Sequence, residues 1–81
     1  MKNKIRYYRQ EMKITQKELG KILGVSRQTI SALENNKFNP TILMVHKLTV
    51  LFNCKIDDLF TFDEKYKYDP DKKTLEEITE E

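Results

Sequence analysis

Between Thr15 and Glu34 the chain reads TQKELGKILGVSRQTISALE, and this stretch constrains the fold more than any other. Thr15 is followed three residues on by Glu18, a pattern in which each side chain satisfies a free backbone N–H of the other and a helix begins. Leu19, Ile22 and Leu23 recur at helical spacing and are expected to point inward. Gly24 stops the helix, because glycine accepts a positive φ without steric cost. Ser26 then caps a second helix whose inward face is Ile30 and Leu33, and Asn35-Asn36 tolerates the left-handed backbone that ends it. Two short helices joined by so tight a turn must cross at a sharp angle. Their closest approach needs a residue with almost no side chain, and Gly20 occupies that position. In an ordinary exposed helix the same glycine would cost about 1 kcal/mol relative to Ala.

Caps and periodicity place the other elements. Helix 1 is expected over residues 3–12, with Ile5, Tyr8 and Met12 on one face. Helix 4 opens at Pro40-Thr41 and closes at Asn53, with Ile42, Val45, Leu48 and Phe52 as its inward stripe, and Thr49 within it. Leu43 and Val50 point roughly the opposite way. A short helix 5 holds Ile56, Leu59 and Phe60, with Asp57 and Asp58 near its positive end. Beyond Phe62 the pattern decays. Phe62, Tyr66 and Tyr68 suit a strand or a docked segment, Asp69-Pro70-Asp71 is a break, and residues 75–81 are too few and too acidic for a lone helix. The chain divides into a helical domain, residues 1–62, and an acidic tail, residues 63–81.

Composition narrows the function. Net charge is +2, but residues 1–62 hold eleven Lys/Arg against five Asp/Glu, whereas residues 63–81 hold four Lys against eight Asp/Glu. A basic body with an acidic tail suits a polyanionic partner for the body alone. One cysteine excludes an intramolecular disulfide and a multi-cysteine metal site, and a lone free thiol fits a reducing cytoplasm. Cys54 reads as a core residue. With His46 the one histidine and no nucleophile–base pair, neither a metal, a cofactor nor catalysis is expected, and an enzyme is the least favoured class. The apolar run 42–54 is too short and too interrupted to span a bilayer. The first residues lack the apolar core of a signal peptide, so a cytoplasmic protein is expected.

The segment TQKELGKILGVSRQTISALENNK resembles the helix-turn-helix of the Cro/C1-type (XRE) family of phage and bacterial regulators, and the similarity extends from about Ile5 to Phe60. The resemblance implies an all-α, five-helix lambda-repressor-like domain whose short C-terminal extension is either a strand or disordered. It implies binding to double-stranded DNA, with helix 3 in the major groove and helix 2 bracing it across the backbone. On that reading Arg27, Gln28, Ser31 and Ala32 face base edges. Arg27 suits guanine O6 and N7, Gln28 suits adenine N6 and N7, and the Ala32 methyl suits a thymine methyl. Gln16, Ser26, Thr29, Asn35, Lys37 and Asn39 are the corresponding phosphate contacts. Arg9 and Glu34 match a family ion pair that acts as a structural clasp, while Lys4 and Arg6 read as solvated charges. Lys13 and Asn36 stand where the family usually has glycine, at helix ends that call for left-handed backbone.

One such module contacts only about four or five base pairs, so specificity normally requires a symmetric dimer on a palindrome. Leu43 and Val50, flanked by His46 and Lys47, are expected at a dimer contact or under the tail. The aromatic stretch Phe60 to Tyr68 is the competing interface. A homodimeric repressor is the leading expectation, ahead of a DNA-binding antitoxin whose acidic tail grips a basic toxin, and of an interaction module that has lost DNA binding. With no ligand-binding domain in view, a small-molecule effector is unspecified, and a signal is expected to enter through a partner, through concentration or through the tail.

Overall fold

The computed structural model describes residues 1–79 and builds its body around the expected helix pair. Thr15 Oγ1 accepts from the Glu18 N–H at 3.0 Å and Glu18 Oε1 accepts from the Thr15 N–H at 3.0 Å. This reciprocal cap starts α2 (Gln16–Leu23). Gly24 ends it at φ 74°, and Ser26 Oγ accepts from the Thr29 N–H at 3.1 Å to start α3 (Arg27–Glu34). The close approach falls at Gly20 as expected. A Cβ there would lie 2.7 Å from the Val25 carbonyl oxygen, and Val25 N–H donates to the Gly20 carbonyl at 2.8 Å.

Three further helices close the core. They are α1 (Ile5–Glu11), α4 (Ile42–Phe52) and the one-turn α5 (Ile56–Leu59). Thr41 caps α4 by accepting from the Met44 N–H at 3.1 Å, and Asn53 ends it in the left-handed region at φ 51°. Ile5, Leu19, Leu23, Ile30, Leu33, Met44, Leu48, Phe52, Leu59 and Phe60 form one buried cluster. Tyr8 stacks on Phe52 at 5.4 Å between ring centroids. Cys54 is half-buried against this cluster. Desolvation is the main reason its thiol pKa is raised, and the charge of Asp58 adds to it.

Several expectations need correction. Helix 1 begins at Ile5 rather than Asn3, because Lys2–Asn3 forms β1, paired antiparallel with β2 (Phe60–Thr61). The Asn3 side chain accepts from the Ile5 N–H at 3.0 Å and donates to the Leu33 carbonyl at 2.9 Å, tying this start to the end of α3. Met12 and Ile22 are exposed. On α4 the inward stripe is Met44, Leu48 and Phe52, and Ile42 is 89% exposed. At 100° per residue Ile42 lies about 120° from Leu48, too far round to share the buried face. Leu43 and Val50 are exposed as expected.

The chain is therefore not all-α. Beyond the body a second antiparallel pair, β3 (Tyr66–Asp69) and β4 (Thr74–Glu77), forms a hairpin in register Tyr66↔Glu77 and Tyr68↔Leu75. Of the alternatives for the tail the strand is the one observed, and it extends past the proline break. Asp69 Oδ1 makes the turn by accepting from the N–H groups of Asp71 and Lys72 at 2.9 and 3.2 Å. The last two glutamates of the acidic segment 75–81 lie outside the described residues.

Candidate nucleic-acid interface

The exposed edge of α3 is positioned by an ionic clasp on its far end. Glu34 is the last residue of α3, and its side chain is fully buried. Arg9 of α1 donates from Nε to Glu34 Oε2 at 2.7 Å and from Nη2 to Oε1 at 3.1 Å. Arg9 Nη1 also donates to the Ile14 carbonyl at 3.0 Å. Desolvation is the largest single influence on the Glu34 carboxyl and pushes its pKa up. The hydrogen bonds from Arg9, Gln16 and Arg6 and the Arg9 charge together outweigh it, so the pKa lies below the usual carboxylate value. The hydrogen bond to Glu34 likewise raises the pKa of Arg9.

Two more side chains join the clasp. Arg6 donates from Nε to Glu34 Oε1 and from Nη2 to Asn35 Oδ1, each at 3.3 Å. It is therefore not the free solvated charge its position suggested. Helical spacing from Arg9, one turn earlier on the same face, is the signal that would have found it. Gln16 Nε2 donates to Glu34 Oε1 at 3.3 Å. A primary amide has two N–H donors, so this bond holds the Gln16 side chain at the start of α2 while leaving one donor available.

Against this scaffold Gln16, Arg27, Gln28 and Ser31 come together around an open notch of about 240 Å³. Arg27 and Gln28 are exposed on the first turn of α3, and Ser31 and Ala32 are half-buried one turn on. Among the described residues Arg27 and Lys37 have no ion-pair partner, so both cations are available to an anionic ligand. The remaining candidates divide. The Ser26 hydroxyl caps α3 and lies 3.0 Å from that of Thr29, so the two are occupied with each other. Asn35 is held by Arg6 and donates to the Ser31 carbonyl at 2.9 Å. Lys37 is exposed just past α3, where Asn36 takes φ 59°. Asn39 is apart from the notch and lines an apolar depression with Met1, Pro40, Ile42, Val45, Ile56, Phe60 and Phe62.

An exposed arginine and glutamine on the first turn of the second helix, flanked by the first turn of the preceding one, is the arrangement that presents side chains to base edges and phosphates together. A helix-turn-helix family model matches residues 5–59. The chain belongs to the Cro/C1-type (XRE) helix-turn-helix family of DNA-binding transcription regulators. It is similar to an uncharacterized HTH-type transcriptional regulator of Methanocaldococcus jannaschii, at 45% identity over 64 residues, 79% of this chain and 97% of that protein. A regulator so described from Archaeoglobus fulgidus is 43% identical over 65 residues, covering 80% of this chain and 92% of its own. One from Bacillus subtilis is 35% identical over 65 residues, covering 80% and 98%. The family match ends at Leu59, so β2 and the β3–β4 hairpin fall beyond it. No helix among the described residues is long and apolar enough to cross a membrane.

Proposed function

We propose that this helix-turn-helix protein is a sequence-specific repressor that occupies a palindromic operator as a homodimer. The observation that carries the reading is the notch of Gln16, Arg27, Gln28 and Ser31 at the exposed start of α3. With α3 in the major groove, Arg27 and Gln28 reach bidentate base partners and Ser31 a third base edge, while Ala32 offers its methyl to thymine. Gln16, held by Glu34, directs its second amide N–H to a phosphate, aided by the free N–H groups that open α2. Lys37, Ser26 and Asn35 complete the phosphate contacts in this reading, and Thr29 and Asn39 contribute less.

A second copy is expected on the apolar depression lined by Ile42, Val45, Ile56 and Phe62. Ile42, Ile56 and Phe62 are 89, 48 and 63% exposed, a concentration of apolar surface that a monomer on its own leaves in water. Selection from random duplexes tests the whole reading. It should return a palindrome with half-sites about one helical turn apart. Affinity for that site should fall steeply as salt rises. Recovery of no consensus, or an affinity indifferent to salt, would overturn it.

A further inference from the structure

The β3–β4 hairpin stands off the body. A compact chain of this length has a radius of gyration of about 12 Å, whereas this one has 15.4 Å and measures 49 × 22 × 22 Å. Both ends of the hairpin are fastened. At its root the N-terminal ammonium pairs with Glu64 at 2.7 Å, and Ile78 N–H donates to the Lys65 carbonyl at 2.7 Å. At its tip Asp69 closes the turn. The cross-strand register places Tyr66, Tyr68, Leu75 and Glu77 on one face. Tyr66, Tyr68 and Leu75 are 58, 58 and 72% exposed. A lone two-stranded hairpin is marginal in water and needs a packing partner on such a face.

The geometry points to a second copy of this chain as that partner, each hairpin lying along the exposed side of the other copy's α4. Three observations favour this occupant. The hairpin's apolar surface is continuous at Phe62 with the depression proposed above as the two-fold contact, so the arm starts at the rim of that contact. Charge agrees: residues 63–79 carry four Lys against six Asp/Glu, so arm against arm is disfavoured, whereas arm against the basic body of the partner is attracted. Shape agrees. The outer side of α4 presents Leu43 and Val50, 59 and 66% exposed, beside a groove lined by Ile22, Leu23, His46, Lys47, Val50 and Leu51. An eleven-residue helix is about 16 Å long and a four-residue strand about 13 Å. Leu43, His46 and Val50 thus become the seat of the partner's tail rather than a helix-to-helix contact, and Glu77 approaches Lys47 of that seat.

The inference rests on the dimer reading, and sedimentation equilibrium of the full chain separates the two. Wild type should be a dimer; a monomer at tens of micromolar would overturn both. Tyr68→Glu/Leu75→Glu and Leu43→Glu/Val50→Glu alter exposed positions, so helical circular dichroism should stay at the wild-type level. Each should raise the dimer dissociation constant at least 100-fold. If the Leu43/Val50 variant unfolds, Val50→Lys alone takes its place. Mixing the two variants should then restore a heterodimer, since one wild-type arm meets one wild-type seat. Dimers that survive either double substitution would overturn the arm while leaving the dimer reading intact. Two monomeric variants that fail to combine would overturn the exchange.

Discussion

Replacing Glu34 with Gln removes one charge from a fully buried side chain and changes almost no volume. Arg9 Nε, 2.7 Å from Oε2, then faces either an amide N–H₂ or an oxygen without its negative charge. The Arg9 side chain is 12% exposed, so water replaces little of what is lost. Breaking a buried ion pair from one side typically costs 3–5 kcal/mol. Here Arg9 keeps its bond to the Ile14 carbonyl, and the new amide still accepts one hydrogen bond, so the cost should fall to about 2–4 kcal/mol at pH 7. At about 4–8 °C per kcal/mol for a domain of this size, the melting temperature should drop by roughly 8–32 °C. The pH dependence carries the sharper test. The folded pKa of Glu34 is depressed, so its stabilisation is complete above the unfolded carboxylate value of about 4.3 and is lost as pH falls through the folded pKa. Glu34→Gln cannot make that transition. The gap between the two proteins should therefore be widest near neutrality and narrow progressively below about pH 4. Urea melts at fixed protein concentration, repeated from pH 7 to pH 3, give both quantities. A gap below about 0.5 kcal/mol at pH 7, or one that stays constant into acid, would refute the clasp as a stabilising ion pair.

Four other substitutions probe separate links. Arg27→Ala should weaken operator binding by about 1–3 kcal/mol per half-site and relax the preference at one base, whereas Lys37→Ala should weaken operator and random duplex alike. Fluorescence anisotropy on both duplexes decides this, and equal losses from Arg27→Ala would refute its base-reading role. Lys13 holds φ 58° at the end of α1, so Lys13→Gly should stabilise by about 0.5–1 kcal/mol once the entropy of glycine is offset against the relieved strain. Gly24→Ala, at φ 74° with open space around the missing Cβ, should destabilise by about 1–2 kcal/mol through the backbone alone. Thermal melts with opposite signs for these two variants are the expected result; a destabilised Lys13→Gly would show that the lysine side chain matters more than its backbone.

The central helix pair was legible because its signals are local. A capping box, a helix-ending glycine and a Ser cap each act within four residues, and each appears where the sequence puts it. Long-range geometry was less legible. The spacing on α4 admits two neighbouring apolar stripes, and the folded core buries Met44 while leaving Ile42 exposed. Asn3 reads as a helix start until Phe60–Thr61 arrives from the other end of the domain to pair with Lys2–Asn3. The hairpin was half visible: Tyr66 and Tyr68 alternate as a strand should, but their partner strand TLEE carries weak β propensity and sits behind a proline. At the site, the exposed residues Arg27 and Gln28 were placed by the family pattern. The bond from Gln16 to Glu34 and the reach of Arg6 to Asn35 depend on side chains meeting across three helices, which no local pattern encodes.

Those two bonds give the clasp a meaning beyond stability. Glu34 lies at the far end of α3 from Arg27, yet through Oε1 it holds Gln16, which lines the same notch as Arg27. Through Arg6 the network also reaches Asn35, a second proposed phosphate contact just past the end of α3. One buried carboxylate therefore holds Gln16, beside the start of α3, and through Arg6 reaches Asn35 at its end, the two proposed phosphate contacts that would set the register of α3 on a duplex. Glu34→Gln should consequently weaken DNA binding even under conditions where the variant is fully folded, and it should weaken operator and random duplex by similar factors, because the groups it frees are the proposed phosphate contacts rather than the proposed base readers. Anisotropy titrations at 10 °C, with folding verified by circular dichroism, distinguish this from simple destabilisation. Unchanged affinity in the folded variant would confine the clasp to the fold and leave Gln16 to find its phosphate unaided.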